Sequence, residues 1–140
     1  MFNVLMVEDN AADVLLMQLA VEDFIPDLSL HVVPDGVEAL AFLNRLGAYE
    51  DVPRPQLMLL DGNTPRKSAI EVLAEVRHNP IFAELPVLVF SGSAAESDAQ
   101  KSIQAGATAY IMKPTGLDEY TRVVQDTLSF WHAQLGAAES

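Results

Sequence analysis

Gln56-Leu57-Met58-Leu59-Leu60-Asp61-Gly62-Asn63-Thr64-Pro65 is the stretch that decides the fold. Gln56–Leu60 is an apolar run of strand length, closed by an acid, and Gly62–Pro65 carries turn residues. A strand that is apolar on successive positions buries both faces, which is the habit of a parallel sheet covered by helices on each side. The same form recurs outward along the chain. Pro86–Phe90 ends at Ser91-Gly92, and Thr108–Met112 ends at Lys113-Pro114. Phe2–Val7 ends at Glu8-Asp9-Asn10, and Ser29–Val33 is followed by Pro34-Asp35.

Segments of helical period separate these runs. Val14, Leu15, Leu16, Leu19 and Ala20 follow Asn10, a residue suited to cap a helix N-terminus. Val37, Leu40, Ala41 and Leu43 repeat the pattern, with Gly47 as the expected stop. Ile70, Val72, Leu73 and Val76 support a third helix, Ala94–Ala105 a fourth that stops at Gly106, and Tyr120, Val123, Val124, Leu128 and Trp131 a last one. Ala48–Pro55, with two prolines and mixed charge, reads as an exposed loop, and Pro80–Pro86 as a connection. Strands alternating with helices give an α/β fold with a parallel sheet, and right-handed crossovers leave few topologies. The expected organisation is one domain over residues 1–135 and a frayed tail at 136–140.

Composition narrows the function. The chain has 140 residues, half of them hydrophobic, enough for one packed domain. Its formal net charge of −12 repels phosphate backbones and anionic lipid, so nucleic acid and membrane surfaces are poor partners. The absence of cysteine removes disulfides, thiolate metal sites and thiol nucleophiles. The N-terminal apolar run lacks a basic flank and is interrupted at Glu8-Asp9, unlike a signal peptide. No stretch approaches the roughly 18 apolar residues of a membrane span. A soluble cytoplasmic protein is expected.

The chemistry collects where the strands end, since an open parallel α/β sheet binds ligands beyond the carboxyl ends of its strands. Glu8, Asp9, Asp61 and Lys113 meet on that rim with a net charge of −2, and Ser91 joins them. Clustered carboxylates resist joint ionisation. A divalent cation neutralises them, and hard oxygen donors select magnesium, or manganese, over zinc or copper. A carboxylate beside such an ion and an ammonium can attack phosphorus and form an acyl phosphate.

Four segments in register then resemble the receiver domain of response regulators: Val4–Asn10, Leu59–Pro65, Val89–Gly92 and Gly106–Pro114. The resemblance implies a flavodoxin-like (βα)5 doubly wound sheet of strand order 2-1-3-4-5. It implies that Asp61 accepts a phosphoryl group from a histidine kinase. It places magnesium on Asp9, Asp61 and the Asn63 backbone carbonyl, with Glu8 acting through water. Lys113 and Ser91 would bind the phosphoryl group, Ser91 and Tyr110 would form a switch pair, and the Lys113-Pro114 bond would be cis. Such a domain is a regulatory phosphoacceptor, not an enzyme with turnover on a separate substrate; it signals by protein contacts to a downstream partner. A narrower resemblance, carried by Ala48–Pro55, His78–Phe82 and Phe130-Trp131, is to single-domain receivers that partner bacterial and cyanobacterial phytochromes. The sequence departs from the family pattern at Gly62, Thr64, Ser68 and Ala69. The missing glycine at position 69 matters if the backbone there needs positive φ, so an altered loop after Asp61 is expected.

Other readings stand beside these. Asp61-Gly62 alone is a turn dipeptide, Glu8-Asp9 alone are helix-start charges, and Ser91-Gly92 alone is a turn. Tyr110 reads either as a switch or as a half-buried aromatic. His31, His78 and His132 read as surface or packed residues. Leu128, Trp131 and Leu135 share one helical face while Phe130 points elsewhere, so Phe130 and Trp131 read either as packing or as a homodimer interface through the last helix. A degenerate pseudo-receiver scaffold and a magnesium-dependent aspartyl-phosphate phosphohydrolase are the rival functions; the second normally wants another acid just after its nucleophile, where Asn63 and Thr64 stand.

Overall fold

The computed structural model describes the backbone of residues 1–139 and the side chains of residues 1–135. Five parallel strands, β1 (Phe2–Val7), β2 (Leu28–Val33), β3 (Leu57–Asp61), β4 (Val87–Ser91) and β5 (Ala109–Met112), form one sheet in the order β2-β1-β3-β4-β5. The helices are α1 (Ala11–Val21), α2 (Gly36–Leu43), α3 (Ala69–His78), α4 (Glu96–Gln104) and α5 (Leu117–Glu139). Short 3-10 turns cover Gly47–Tyr49 and Pro80–Phe82. The chain is thus the expected flavodoxin-like α/β fold.

Strand pleating sorts the apolar residues into two cores. Leu5, Val7, Met58, Leu60, Val87 and Val89 face α2 and α3, where Ala39, Phe42, Leu43, Val72, Leu73 and Val76 meet them. Phe2, Val4, Met6, Leu57, Leu59, Leu88 and Phe90 face α1 and α5, against Met17, Ala20, Tyr120, Val124 and Leu128. Successive strand residues point to opposite faces, so a sheet covered on both sides demands apolar residues in sequence. Each such buried Val or Leu contributes about 1.5–3 kcal/mol.

Several local expectations are corrected. α2 ends at Leu43, before Gly47; Arg45 takes the left-handed conformation (φ 53°) and Leu46 N–H reaches back to the Ala41 carbonyl. That closure satisfies a helix-end carbonyl, so the stop comes from backbone hydrogen bonding without glycine. Gly47 (φ 58°) instead opens the 3-10 turn. The loop over Ala48–Pro55 is partly packed: Tyr49 lies 5.4 Å from the Phe42 ring and its hydroxyl donates to Glu38 Oε2 at 2.8 Å, and Pro55 is buried. The Lys113-Pro114 bond is trans; among the described residues no peptide bond is cis. Trans is the lower-energy isomer even before proline, and in it the Lys113 ammonium still reaches the acids of the rim. Helical backbone continues through residues 136–139 of the expected tail, and Ser140 lies outside the described residues. Among the described residues no helix is long and apolar enough to cross a membrane.

Candidate functional site

The sheet order reverses direction at β1 and β3, and a cleft opens there beyond the carboxyl ends of the strands. Glu8 leaves β1 with its N–H bonded to the Val33 carbonyl at 3.0 Å, which turns its side chain into that cleft. Its side chain is 2% exposed. Oε1 accepts the Asn10 N–H at 3.1 Å and Oε2 accepts Lys113 Nζ at 3.0 Å. Burial pushes the Glu8 carboxyl above its usual range; the Lys113 and Asn10 hydrogen bonds oppose this, and the Asp61 charge adds to it.

Asp61 ends β3, and its side chain is 10% exposed. Its Oδ1 accepts the Asn63 N–H at 3.2 Å and Lys113 Nζ at 3.4 Å. Asp9 is exposed at the mouth of the cleft. One carboxylate oxygen from each of Glu8, Asp9 and Asp61 lies within 4.8 Å of the others. The donor set is oxygen only, close enough for one small cation, and that fits the hard-ion chemistry of magnesium or manganese.

Lys113 follows β5, anchored by its N–H to the Ser91 carbonyl at 2.7 Å. Burial by itself lowers the pKa of its ammonium. The Glu8 hydrogen bond, the Asp61 and Glu8 charges and the Asp13 hydrogen bond outweigh burial and hold its pKa above the ordinary lysine value.

Asp13 is the residue that sequence reading missed. Its Oδ2 lies 3.2 Å from Lys113 Nζ, across 100 positions of chain. It stands in the first turn of α1, behind the Asn10 cap whose Oδ1 accepts the Ala12 and Asp13 N–H groups at 2.9 and 3.1 Å. An acid in a helix first turn has an ordinary explanation in the helix dipole, so the sequence carried no signal that it faces the rim. With Asp13 included, three carboxylates contact the one ammonium and Asp9 stands beside them, so the local charge is −3 rather than −2.

The remaining expected residues sit beside this centre. Ser91 ends β4 and its Oγ accepts the Ser93 N–H at 3.1 Å. Tyr110 and Ser91 line one cleft of about 180 Å³ between α3 and α4, but the Tyr110 hydroxyl donates to the Ser93 carbonyl at 2.8 Å, not to Ser91. A Cβ on Gly62 would come within 2.7 Å of Ser91 Cβ, so the small residue after Asp61 matches the close approach of β4.

The loop from Gly62 to Ser68 has local support. Thr64 Oγ1 donates to the Asp61 carbonyl. The left-handed residue is Arg66 (φ 66°), and its guanidinium pairs with Asp35 at 3.1 Å. Ser68 is extended and caps α3: its Oγ accepts the Glu71 N–H and Glu71 Oε1 accepts the Ser68 N–H, each at 3.2 Å. Those bonds hold the Glu71 carboxyl below its usual range. Ser68 and Ala69 therefore meet no positive-φ demand, because α3 starts there.

The histidines stay outside the cleft. His31 Nε2 lies 3.2 Å from Asn3 Oδ1, and His132 Nε2 lies 2.9 Å from Asp27 Oδ1. His78 is exposed at the end of α3.

Known proteins resemble this chain in sequence and fold. The family model for the response regulator receiver domain matches residues 4–125. Response regulator Rcp1 of Synechocystis sp. (strain ATCC 27184 / PCC 6803 / Kazusa) is 40% identical over 91% of this chain and 87% of its own length. A manganese-bound crystal structure of Rcp1 superposes with a TM-score of 0.87 at 39% identity, covering 94% of each chain. The phosphorylated cyanobacterial phytochrome response regulator RcpA gives a TM-score of 0.89 at 36% identity, again over 94% of each chain. With two thirds of the chain and more aligned at these identities, and with an oxygen-lined cleft where the family places its chemistry, the chain belongs to the response regulator receiver domain family.

Proposed function

We propose that this protein is a phosphorylation-dependent signalling regulator in which Asp61 accepts a phosphoryl group from a histidine kinase. The observation that carries this reading is the meeting of Glu8, Asp9 and Asp61 under the Lys113 ammonium. Asp9, Asp61 and the Asn63 backbone carbonyl would hold magnesium or manganese, with Glu8 acting through water, and the ion would supply positive charge against the phosphoryl oxygens. An Asp61 oxygen forms a bond to phosphorus as the donor's P–N bond breaks, and the histidine nitrogen leaves with the electron pair. Lys113 neutralises one phosphoryl oxygen, and the Ser91 hydroxyl donates to another once it turns from its loop. Moving Ser91 disturbs the Ser93 turn, and through it the Tyr110 hydroxyl bond, so the surface around α4 and β5 reports the chemistry. A downstream protein reads that surface.

The donor kinase is of the phytochrome type; the similarity to RcpA and, at 31% identity, to the bacteriophytochrome response regulator AtBRR supports this. Incubation with acetyl phosphate and magnesium is expected to add about 80 Da, the mass of HPO3 on a carboxylate, and Asp61→Asn is expected to add nothing. An unmodified wild-type protein under these conditions would favour a constitutive scaffold. Release of inorganic phosphate from small phosphate esters in steady turnover would favour a phosphohydrolase.

A homodimer through α5 belongs to the same proposal. Phe130 is 56% exposed, with its ring edge-on to Trp131 at 5.4 Å, while Leu128 on another face is buried. A second copy covering the aromatic pair accounts for apolar residues on both faces of the helix. Sedimentation is expected to show a dimer that Phe130→Glu converts to monomer; identical profiles would remove the interface from this surface.

A further inference from the structure

Lys113 offers three N–H donors, and three carboxylates stand within 3.4 Å of its nitrogen: Glu8 at 3.0 Å, Asp13 at 3.2 Å and Asp61 at 3.4 Å. Two of the three have other duties. Glu8 and Asp61 belong to the oxygen cluster that fits a cation, and Asp61 is the phosphoacceptor of the proposed reaction. When a cation and a phosphoryl group engage those oxygens, their bonds to Lys113 must share or yield. Asp13 is outside the cluster among the described residues, and nothing in the reaction redirects it.

Its placement is also firm. Asn10 fixes the first turn of α1 through the Ala12 and Asp13 N–H groups, and the Asp13 charge lies at the positive end of the helix. The side chain is 30% exposed, so as an isolated ion pair it would contribute little to stability. Its value lies in position: it ties the ammonium, carried by the segment after β5, to the first turn of α1.

We propose that Asp13 is a positioning residue for phosphoryl transfer, a fixed anchor that keeps the Lys113 ammonium aimed into the cleft while Glu8 and Asp61 change partners. The inference deepens the phosphoacceptor reading and rests on it. It adds an acid to the reacting centre that neither binds the cation nor touches the phosphoryl group.

Two measurements on the full chain test it. The first is the rate of Asp61 phosphorylation by acetyl phosphate at saturating magnesium in wild type, Asp13→Ala, Asp13→Asn, Lys113→Ala and the Asp13→Ala/Lys113→Ala double variant. Loss of a charge-assisted hydrogen bond that keeps a reacting charge in position slows the reaction about tenfold. Asp13→Ala is expected to show that loss, Asp13→Asn to recover most of it through its remaining oxygen, and the double variant to react no more slowly than Lys113→Ala. Equal slowing by Asp13→Ala with and without Lys113 would overturn the proposal, as would a wild-type rate in Asp13→Ala. The second is the nitrogen-15 NMR signal of the Lys113 ammonium, with and without magnesium. With magnesium, restricted motion and slow proton exchange are expected in wild type and lost in Asp13→Ala, while without it Glu8 and Asp61 still hold the ammonium; indifference to the substitution in the presence of magnesium would overturn anchoring directly. If wild type takes no phosphoryl group yet the ammonium loosens in Asp13→Ala, the anchor stands and the phosphoacceptor reading falls. Urea unfolding of each variant separates these effects from a damaged fold.

Discussion

Arg77→Ala is expected to lower the unfolding free energy by about 3–5 kcal/mol. The Arg77 guanidinium donates to the carbonyls of Gly106 at 2.8 Å, Leu85 at 2.7 Å, Phe82 at 3.1 Å and Ala83 at 3.3 Å, and reaches Thr108 Oγ1 at 3.5 Å. One side chain thereby joins α3, the turn at Pro80–Phe82, the entry to β4 and the entry to β5. No salt bridge pairs it with an acid among the described residues, and burial lowers its pKa. The planar fork is what serves several carbonyls together, so Arg77→Lys is expected to rescue less than half of the loss. Gly106 (φ 114°) is part of the same joint, since a Cβ there would lie 2.6 Å from Arg77 Cγ. At this chain length the melting temperature should fall by about 10–17 °C. Urea and thermal unfolding check this, and a loss below about 1 kcal/mol would show that water satisfies the freed carbonyls.

Lys113→Ala is expected to have the largest effect at the acidic rim. Removing the ammonium leaves Glu8, almost wholly buried, beside Asp61 and Asp13 with no counter-charge. Breaking a buried pair by deleting one partner costs about 3–5 kcal/mol. The Glu8 carboxyl, already raised by burial, must rise further once the hydrogen bond and charge that oppose burial are gone. A carboxyl with a raised folded-state pKa binds more protons folded than unfolded. Its stabilisation is fully present below the ordinary value of 4.5 and is lost as pH rises through the raised value. The deficit of Lys113→Ala relative to wild type should therefore be greatest at neutral pH without divalent ions and shrink on acidification. Millimolar magnesium should shrink it as well, because acids freed from the ammonium bind the cation more tightly than in wild type, and tighter binding to the folded state stabilises more by mass action. Urea unfolding at pH 5 and pH 7.5, each with magnesium or chelator, reads both. A deficit independent of pH and of magnesium would mean that lost packing, not uncompensated charge, is the cause.

The two variants separate what was legible from what was not. The strands and the polar residues Glu8, Asp9, Asp61 and Lys113 that follow them were legible because each is local, an apolar run followed by a polar residue; the order of the strands was implied by the family resemblance, since right-handed crossovers alone leave a few topologies open. Arg77 and Asp13 were not. Both are charged residues on helices, where a solvated position is the ordinary reading; the partner of Asp13 lies 100 positions away, and those of Arg77 are backbone carbonyls of separate segments that no residue type announces. Helix ends divided in the same way. Asn10 and Ser68 cap through side chains written in the sequence, whereas the end of α2 follows from Arg45 adopting a conformation that its residue type does not announce.

What the sequence by itself determined was chemistry and periodicity: which residues are apolar, in what rhythm, and which oxygens and nitrogens follow each strand. What only the tertiary structure decided was pairing. It put Asp13 on Lys113, Tyr110 on the Ser93 carbonyl rather than on Ser91, and Arg77 among carbonyls from separate segments. Period and composition act over a few residues and so are written locally. Hydrogen bonds depend on distances of a few ångströms between groups up to a hundred positions apart, which are set only when the sheet and both helical layers close around them.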